Sequence, residues 1–187
     1  MLHTTPHTET MAGLQAHYLT MARYNRWATA KLWTFLRANV TDAAYKLDVG
    51  LPMAGSIHST MNHILLAERV WHGRMTDNIF PIATLTDEIV SDSDGLEQAM
   101  LASADELIHL VQSLPHERLA SEYQYSNSRG EPNTQVYGNT LSHVFNHGTH
   151  HRGQISGAMG SLLPGATGKE KLENIGLDLL YFLNPAA

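Results

Sequence analysis

Four histidines lie within nine residues in the segment HVFNHGTHHRGQI, which begins at His143. On an α-helix, residues four apart differ by about 40° around the axis, so His143, His147 and His151 would form one row. His150 is turned from His151 by about 100° and points elsewhere. An i, i+4 pair of imidazoles can chelate a divalent ion through nitrogens about 2.0–2.1 Å from the metal. His147 and His151 are therefore candidate ligands, although a hydrogen-bonded pair of core histidines fits the same spacing.

A metal site also needs ligands from a second element, because two imidazoles leave at least two coordination positions open. His58, His63 and His72 are the candidates on the second predicted helix. His63 lies on or beside the apolar side that contains Ala67 and Trp71, whereas His58 and His72 fit that side less well. His63 is thus the candidate from this helix, and an ordinary buried histidine is the alternative interpretation.

The pattern differs from the H-E-x-x-H signature of zinc peptidases, where a glutamate follows the first ligand and acts as general base. Gly148 occupies that position here. The nearest acid to His63 on the second helix is Glu68, which lies about 140° around the axis. A zinc peptidase is therefore disfavoured.

Helical periodicity covers most of the chain and predicts the elements that carry these side chains. Long amphipathic helices are predicted over about residues 10–39, 56–75, 95–114 and 139–160, and a short C-terminal helix over about 171–183. Residues 121–137 break this pattern and predict a small β-hairpin before the fourth long helix. An all-α fold built on a helical bundle follows, and bundle cores commonly hold metal sites.

Length and composition predict one globular domain over residues 1–187, with residues 1–9 as a flexible tail. The net charge of −6 provides no basic surface for nucleic acid or an acidic membrane. No apolar run approaches the roughly 20 residues of a membrane span, and the N-terminal residues lack signal-peptide features. We expect no nucleic-acid or membrane partner and a cytoplasmic location.

Three stretches, taken together, resemble the DinB family of damage-inducible-protein-like metalloenzymes. They are ARYNRWATAKLW, MNHILLAERVWHGRM and HVFNHGTHHRGQI, and with them the resemblance covers nearly the whole chain. The resemblance implies a four-helix bundle with up-down-down-up topology. It also implies a divalent metal held by three histidines, which by position are His63, His147 and His151.

The same resemblance gives expectations for the surroundings of the metal. His143 would orient a ligand or line the pocket, and Gln154 would hydrogen-bond substrate or water, with a helix–helix contact as the alternative for Gln154. Three histidine ligands leave a position open, as in catalytic zinc sites. One divalent ion per chain is expected, and nitrogen ligands suit zinc or nickel as well as iron or manganese.

Three functions are compatible with such a site, and no residue is assigned as catalytic. The first is a metal-dependent transferase or isomerase that acts on a small electrophilic molecule and uses glutathione, mycothiol or bacillithiol as the thiol, as in some similar proteins. The absence of cysteine fits, since the cosubstrate would supply the thiolate. The second is a metal-dependent hydrolase, which lacks a carboxylate placed as general base. The third is a non-catalytic metal-binding protein of a stress response.

A homodimer is also expected, because many proteins of the resembled family dimerise through helices. Gly153, Gly157 and Gly160 lie roughly on one face of the fourth long helix, where small residues would allow another helix to approach closely.

Overall fold

The computed structural model describes residues 6–52, 55–163, 166–173 and 175–185. The fold is mostly helical, with one two-stranded antiparallel sheet. None of the described helices is long and apolar enough to cross a membrane. The elements are α1 (Pro6–Asn39), α2 (Asp42–Lys46), α3 (Ile57–Met75), α4 (Ser93–Ser113), a 3-10 helix (His116–Ala120), β1 (Glu122–Ser126), β2 (Pro132–Val136), α5 (Tyr137–Leu162), α6 (Ala166–Glu173) and α7 (Leu179–Leu183).

The four predicted long helices and the hairpin are confirmed, whereas α2 and the 3-10 helix were not predicted and the two ends of the chain differ from the prediction. Helix α1 begins at Pro6, so residues 6–9 of the predicted tail are helical, while residues 1–5 lie outside the described part. The single C-terminal helix predicted over 171–183 is wrong in extent, because α6 and α7 are separate. Gly176 lies between them with a φ of 54°, a left-handed conformation that interrupts a helix.

Local sequence explains where α3 and α4 begin. The Ser56 hydroxyl accepts a hydrogen bond of 3.1 Å from the amide of Ser59 at the start of α3. The Asp92 carboxylate accepts one of 2.7 Å from the amide of Gly95 at the start of α4. Such N-caps satisfy amides that have no partner within the helix, so the polar residues before each apolar run fix its start.

The long helices pack in a ring, since α1 and α3 each contact both α4 and α5. Two apolar clusters fill the interior. The first core cluster joins the N-terminal halves of α1 and α5 to the C-terminal halves of α3 and α4, and includes Ala22, Met75, Leu107 and Leu141. The second core cluster joins the opposite halves, and includes Leu32, Ile64, Met100 and Ile155.

Between the two clusters, each long helix contributes buried or half-buried polar side chains. We call this set the polar layer; it comprises Asn25 and Thr29 of α1, Glu68 of α3, Ser103 of α4, and His147, His151 and Arg152 of α5. Burying polar groups costs free energy unless they find partners. The partners of this layer therefore identify the part of the fold to examine for function.

Candidate metal centre

His63 of α3 meets His147 and His151 of α5 at the polar layer. The Nε2 atom of His147 is 3.1 Å from that of His63 and 3.2 Å from that of His151. One nitrogen from each ring lies within 4.8 Å of the other two. We refer to these residues as the three-histidine cluster. The structure thus brings together the three residues that the sequence singled out as ligands, from two helices packed side by side.

The outer nitrogens of two of these rings are held by oxygen atoms. His63 Nδ1 lies 2.7 Å from the carbonyl oxygen of Leu85, and His151 Nδ1 lies 2.8 Å from Oε1 of Gln154. An oxygen acceptor requires Nδ1 to carry the proton, and a neutral imidazole carries only one. Both residues therefore direct an Nε2 lone pair towards the centre of the cluster.

The carbonyl of Leu85 is placed by a turn in the connection between α3 and α4. The Asp87 carboxylate accepts hydrogen bonds from the amides of Ala83 and Thr84, at 2.7 and 3.0 Å, and from the Thr84 hydroxyl, at 2.7 Å. These bonds, the Thr84 hydroxyl foremost, lower the pKa of Asp87 and keep it ionised. Asn62 ties the end of the same connection to α3 by accepting from the amide of Val90 at 3.0 Å. The loop is therefore built to hold one backbone oxygen behind His63.

His147 lies at the middle of the cluster and is half-buried. Burial, followed by the neighbouring imidazoles of His151 and His63, lowers the pKa of His147 to about 3. Burial also lowers the pKa of His151, against the effect of its hydrogen bond to Gln154. His147 is thus neutral near pH 7, with at most one proton to share between two facing lone pairs.

The donor set fits a divalent metal ion. Three nitrogens bound about 2.0–2.1 Å from one ion at near-tetrahedral angles would be about 3.3 Å apart. The separations of His147 Nε2 from the Nε2 atoms of His63 and His151, 3.1 and 3.2 Å, are close to this value. Without a cation, at least two lone pairs face each other across a partly buried space, which is unfavourable. Among the described residues, this group of potential ligands contains no carboxylate, so the ion would keep its full charge.

The family model described as DinB family matches residues 10–162, a range that contains all three histidines. The chain belongs to the DinB family. No curated protein and no solved structure shows significant similarity to it. Family membership and the geometry of the cluster are both consistent with metal binding.

The other histidines of this DinB protein lie around or away from the cluster. His143 is exposed, with its ring 5.7 Å from that of His147 and 5.4 Å from that of Trp71, so it lies beside the cluster without joining it. His150 is exposed and accepts a hydrogen bond of 2.9 Å from the Gln154 amide. His58 is buried, although its position fits the apolar side of the predicted helix poorly. Its ring packs against that of Tyr45, with the ring centres 5.3 Å apart, away from the cluster.

A second buried polar group in this DinB protein involves Arg152, the residue after His151. Its Nη1 donates to the Asn25 side-chain oxygen at 2.7 Å, and the Asn25 amide donates to Glu68 Oε1 at 2.7 Å. Arg152 also donates to the Thr149 hydroxyl at 3.2 Å. We call Asn25, Glu68 and Arg152 the buried network. Asn25 lies between Arg152 and the acid and is hydrogen-bonded to both.

The buried network also explains Gly148, whose place in a helix interior costs up to about 1 kcal/mol relative to alanine. A Cβ atom there would lie 2.9 Å from the Asn25 oxygen and 3.0 Å from Arg152 Nη1. The network was not predicted from sequence, since Asn25 and Glu68 lie 43 residues apart. The sequence signal that could have indicated the network is Gly148, a glycine inside a predicted helix and one turn before Arg152.

Proposed function

We propose that this protein binds one divalent metal ion through His63, His147 and His151. We further propose that it is a metal-dependent transferase, joining a low-molecular-weight thiol to a small electrophilic molecule in the cytoplasm. The observation that carries the proposal is the convergence of three ring nitrogens within 4.8 Å of one another. The oxygens behind His63 and His151 support it, because they fix the tautomers that a metal requires.

The chemistry of this ligand set suits thiol activation. A divalent ion held there would supply positive charge and an open position, which lower the pKa of a thiol. In the transfer, the thiol sulfur forms a bond to the electrophilic carbon, the leaving group departs with its electron pair, and the thiol proton passes to solvent. The protein positions both reactants, and burial favours the neutral imidazoles of His147 and His151 by lowering their pKa. The chain has no cysteine that would compete for the electrophile.

Metal analysis of protein purified without added metal tests the site. We expect about one divalent ion per chain in the wild type and none in His147→Ala. His150→Ala is the matched control, because this exposed histidine is only three residues away and outside the cluster. The identity of the ion, with zinc or nickel favoured over iron or manganese, is read from the same measurement. Equal metal content in His147→Ala and the wild type would overturn the ligand assignment.

An activity screen of the metal-loaded protein separates the candidate functions. Conjugation of an electrophile that requires both metal and added thiol would support the transferase. Ester or amide turnover without thiol would indicate a hydrolase instead. Metal binding with no turnover across thiol and electrophile panels would favour a non-catalytic metal-binding protein. The His150→Ala variant should behave as the wild type in each assay.

We also propose that the four long helices form a bundle with up-down-down-up topology. Support comes from the two core clusters. Helices α1 and α5 place their N-terminal halves in the first core cluster, whereas α3 and α4 place their C-terminal halves there. The second core cluster contains the opposite halves. Helices α1 and α5 would then run one way, and α3 and α4 the other.

A homodimer through α5 is a further part of the proposal. A Cβ atom added at Gly153 or Gly157 would meet no atom of the described chain within 4 Å, so this face of α5 has room for another helix. Helix α7, which follows α5 and α6 in the chain, also has exposed apolar side chains, including Leu180 and Leu183. Light scattering after gel filtration should give twice the chain mass, and Gly157→Arg should give the monomer mass. A monomeric wild type at micromolar concentration would remove the dimer.

A further inference from the structure

A cavity of about 500 Å³ lies beside the C-terminal half of α3. Its walls come from α3, from the connection after it and from the hairpin, and include Val70, Arg74, Phe80 and Gln124. Gly73 allows the connection to approach α3, since a Cβ atom there would lie 2.3 Å from the carbonyl oxygen of Asn78. The volume suits a small molecule, and none of the three clustered histidines lines it.

Arg74 gives this cavity its cationic group. Its guanidinium lies 4.6 Å from the ring centre of Trp71 and 4.9 Å from that of Tyr125, so two aromatic faces hold it in place. Arg74 is partly buried, and among the described residues no acidic side chain pairs with it. Asp77 also lines the cavity, but it is exposed and therefore screened by solvent. A partly desolvated, unpaired guanidinium is suited to bind a carboxylate.

The cavity and the three-histidine cluster lie along one side of α3. Val70 is seven residues and Arg74 eleven residues after His63, and both return to within about 20° of His63 around the axis. At 1.5 Å per residue, Val70 lies about 10 Å and Arg74 about 16 Å along the helix from His63. The Arg74 guanidinium extends back along the helix to the ring of Trp71, so it lies nearer the cluster than its own backbone does. The shorter distance is about the length of three extended residues.

A line of aromatic rings connects the two sites on the side of α5 and the hairpin. The His143 ring lies 5.7 Å from that of His147, the Trp71 ring 5.4 Å from that of His143, and the Tyr125 ring 5.3 Å from that of Trp71. Tyr125 lines the cavity. One elongated ligand therefore has a continuous aromatic wall from the cluster to Arg74.

We propose that this cavity binds the carboxylate-bearing end of the thiol cosubstrate, with Arg74 on the carboxylate and the sulfur directed at the three-histidine cluster. The inference rests on the proposed function and narrows it to anionic, peptide-sized thiols. An uncharged thiol would lack the partner that Arg74 requires. His143 and Trp71 would line the middle of the ligand.

Calorimetric titration with S-methylglutathione tests the cavity without metal, because the blocked sulfur leaves the carboxylates, the ammonium group and the peptide bonds for recognition. We expect Arg74→Gln to weaken binding of this probe at least about tenfold, the loss of one charge-assisted contact. The diester of the same probe should bind Arg74→Gln and the wild type equally. Arg69→Gln is the matched control, since Arg69 lies over Phe80 from the same helix and does not line the cavity.

Two further variants keep the test decisive. Gln124→Glu adds a negative charge at an exposed position of the cavity wall, so it should weaken binding even if Arg74→Gln does not fold. Arg74→Lys should bind more tightly than Arg74→Gln but less tightly than the wild type, because it keeps charge and loses the planar stack. Equal binding by Arg74→Gln and wild type, or no binding by the wild type at millimolar probe, would overturn the proposal.

The two proposals fail separately. Loss of metal binding in the wild type would remove the proposed function, while S-methylglutathione binding to the metal-free protein would still report on Arg74. Conversely, metal binding that depends on His147, together with an Arg74→Gln variant that binds the probe normally, would leave the metal site and remove only the carboxylate site.

Discussion

His151 and Arg152 are consecutive on α5, yet they belong to two polar sites of different kinds. His151 faces His63 across the α3–α5 contact, where ring nitrogens converge with their lone pairs facing one another. Arg152 faces Asn25 of α1, where each short contact joins a donor to an acceptor. The ring nitrogens of the cluster lack enough donors within the described chain, whereas most polar atoms of the network have hydrogen-bond partners in it. Convergent acceptors indicate a ligand, whereas paired donors and acceptors, as in the contacts from Arg152 through Asn25 to Glu68 Oε1, indicate a structural role even though Glu68 Oε2 lacks a partner among the described residues.

The largest effect expected from this comparison is a loss of protein stability when the buried network is disrupted. Arg152→Met removes a buried cation and leaves the Asn25 oxygen without its donor, so we expect unfolding free energy to fall by about 3–5 kcal/mol. The loss should be the same with and without zinc, because the network does not bind the ion. Urea unfolding followed by circular dichroism measures it.

Arg26→Gln serves as the surface control for that variant. Arg26 pairs with Asp105 at 2.5 Å, but both side chains are about half exposed, at 42% and 54%. Removing an exposed pair should change stability by less than about 1 kcal/mol. If Arg152→Met were as mild as Arg26→Gln, the network would not carry the structural role assigned to it.

The contribution of the three-histidine cluster to stability, unlike that of the buried network, should depend on metal. Zinc at a hundredfold excess over its dissociation constant should stabilise the wild type by about 2.7 kcal/mol. His147→Ala should lose this stabilisation, while in metal-free conditions it should differ from the wild type by only about 1 kcal/mol. Thermal unfolding with zinc and with a chelator measures both. A metal-free His147→Ala as unstable as Arg152→Met would make the cluster a structural site as well.

Glycine substitutions on α5 sharpen the comparison at the level of packing. Gly148→Ala forces a Cβ atom against Asn25 and Arg152, and we expect a loss of about 1–3 kcal/mol. Gly153→Ala is the matched control in the same helix, measured on monomeric protein, since no atom of the described chain lies within 4 Å of its added Cβ atom. Gly153→Ala should raise the free energy of unfolding by about 0.5–1 kcal/mol, because alanine has a higher helix propensity than glycine. Equal effects of the two substitutions would mean that the network adapts to the extra atom.

The sequence predicted the parts of the molecule that repeat with the helical period. Histidines four apart on one predicted helix made His147 and His151 candidates, and the resemblance to the DinB family selected His63 from the histidines of another; the structure assembles these three residues. The Leu85 carbonyl behind His63 was not predictable, because a backbone oxygen has no side-chain signature and the connection around it has no periodicity. The cavity at Arg74 was missed for a related reason: it depends on how the hairpin and the connection meet α3.

The smallest expected effect concerns the charge of Glu68 and appears as a pH dependence. Burial raises the pKa of Glu68, and the exposed carboxylate of Glu106 on α4 adds to this, while Asn25, Ser103 and Arg152 oppose it. An unfolded glutamate titrates near pH 4.3. As the pH rises through that value, the unfolded chain releases the proton that folded Glu68 still holds, so stability falls until the pH passes the folded pKa.

Glu68→Gln removes this dependence because an amide does not titrate. We expect the variant to gain stability relative to the wild type as the pH is raised from about 4 to 7, with the smallest difference at the acidic end. Glu106→Gln should leave a dependence of the same sign but smaller size, since it removes only a secondary cause. Urea unfolding of the three proteins at both pH values measures the differences. A Glu68→Gln variant that became relatively less stable towards pH 7 would mean that folded Glu68 is held ionised by Arg152, and that the buried network works as an ion pair across Asn25.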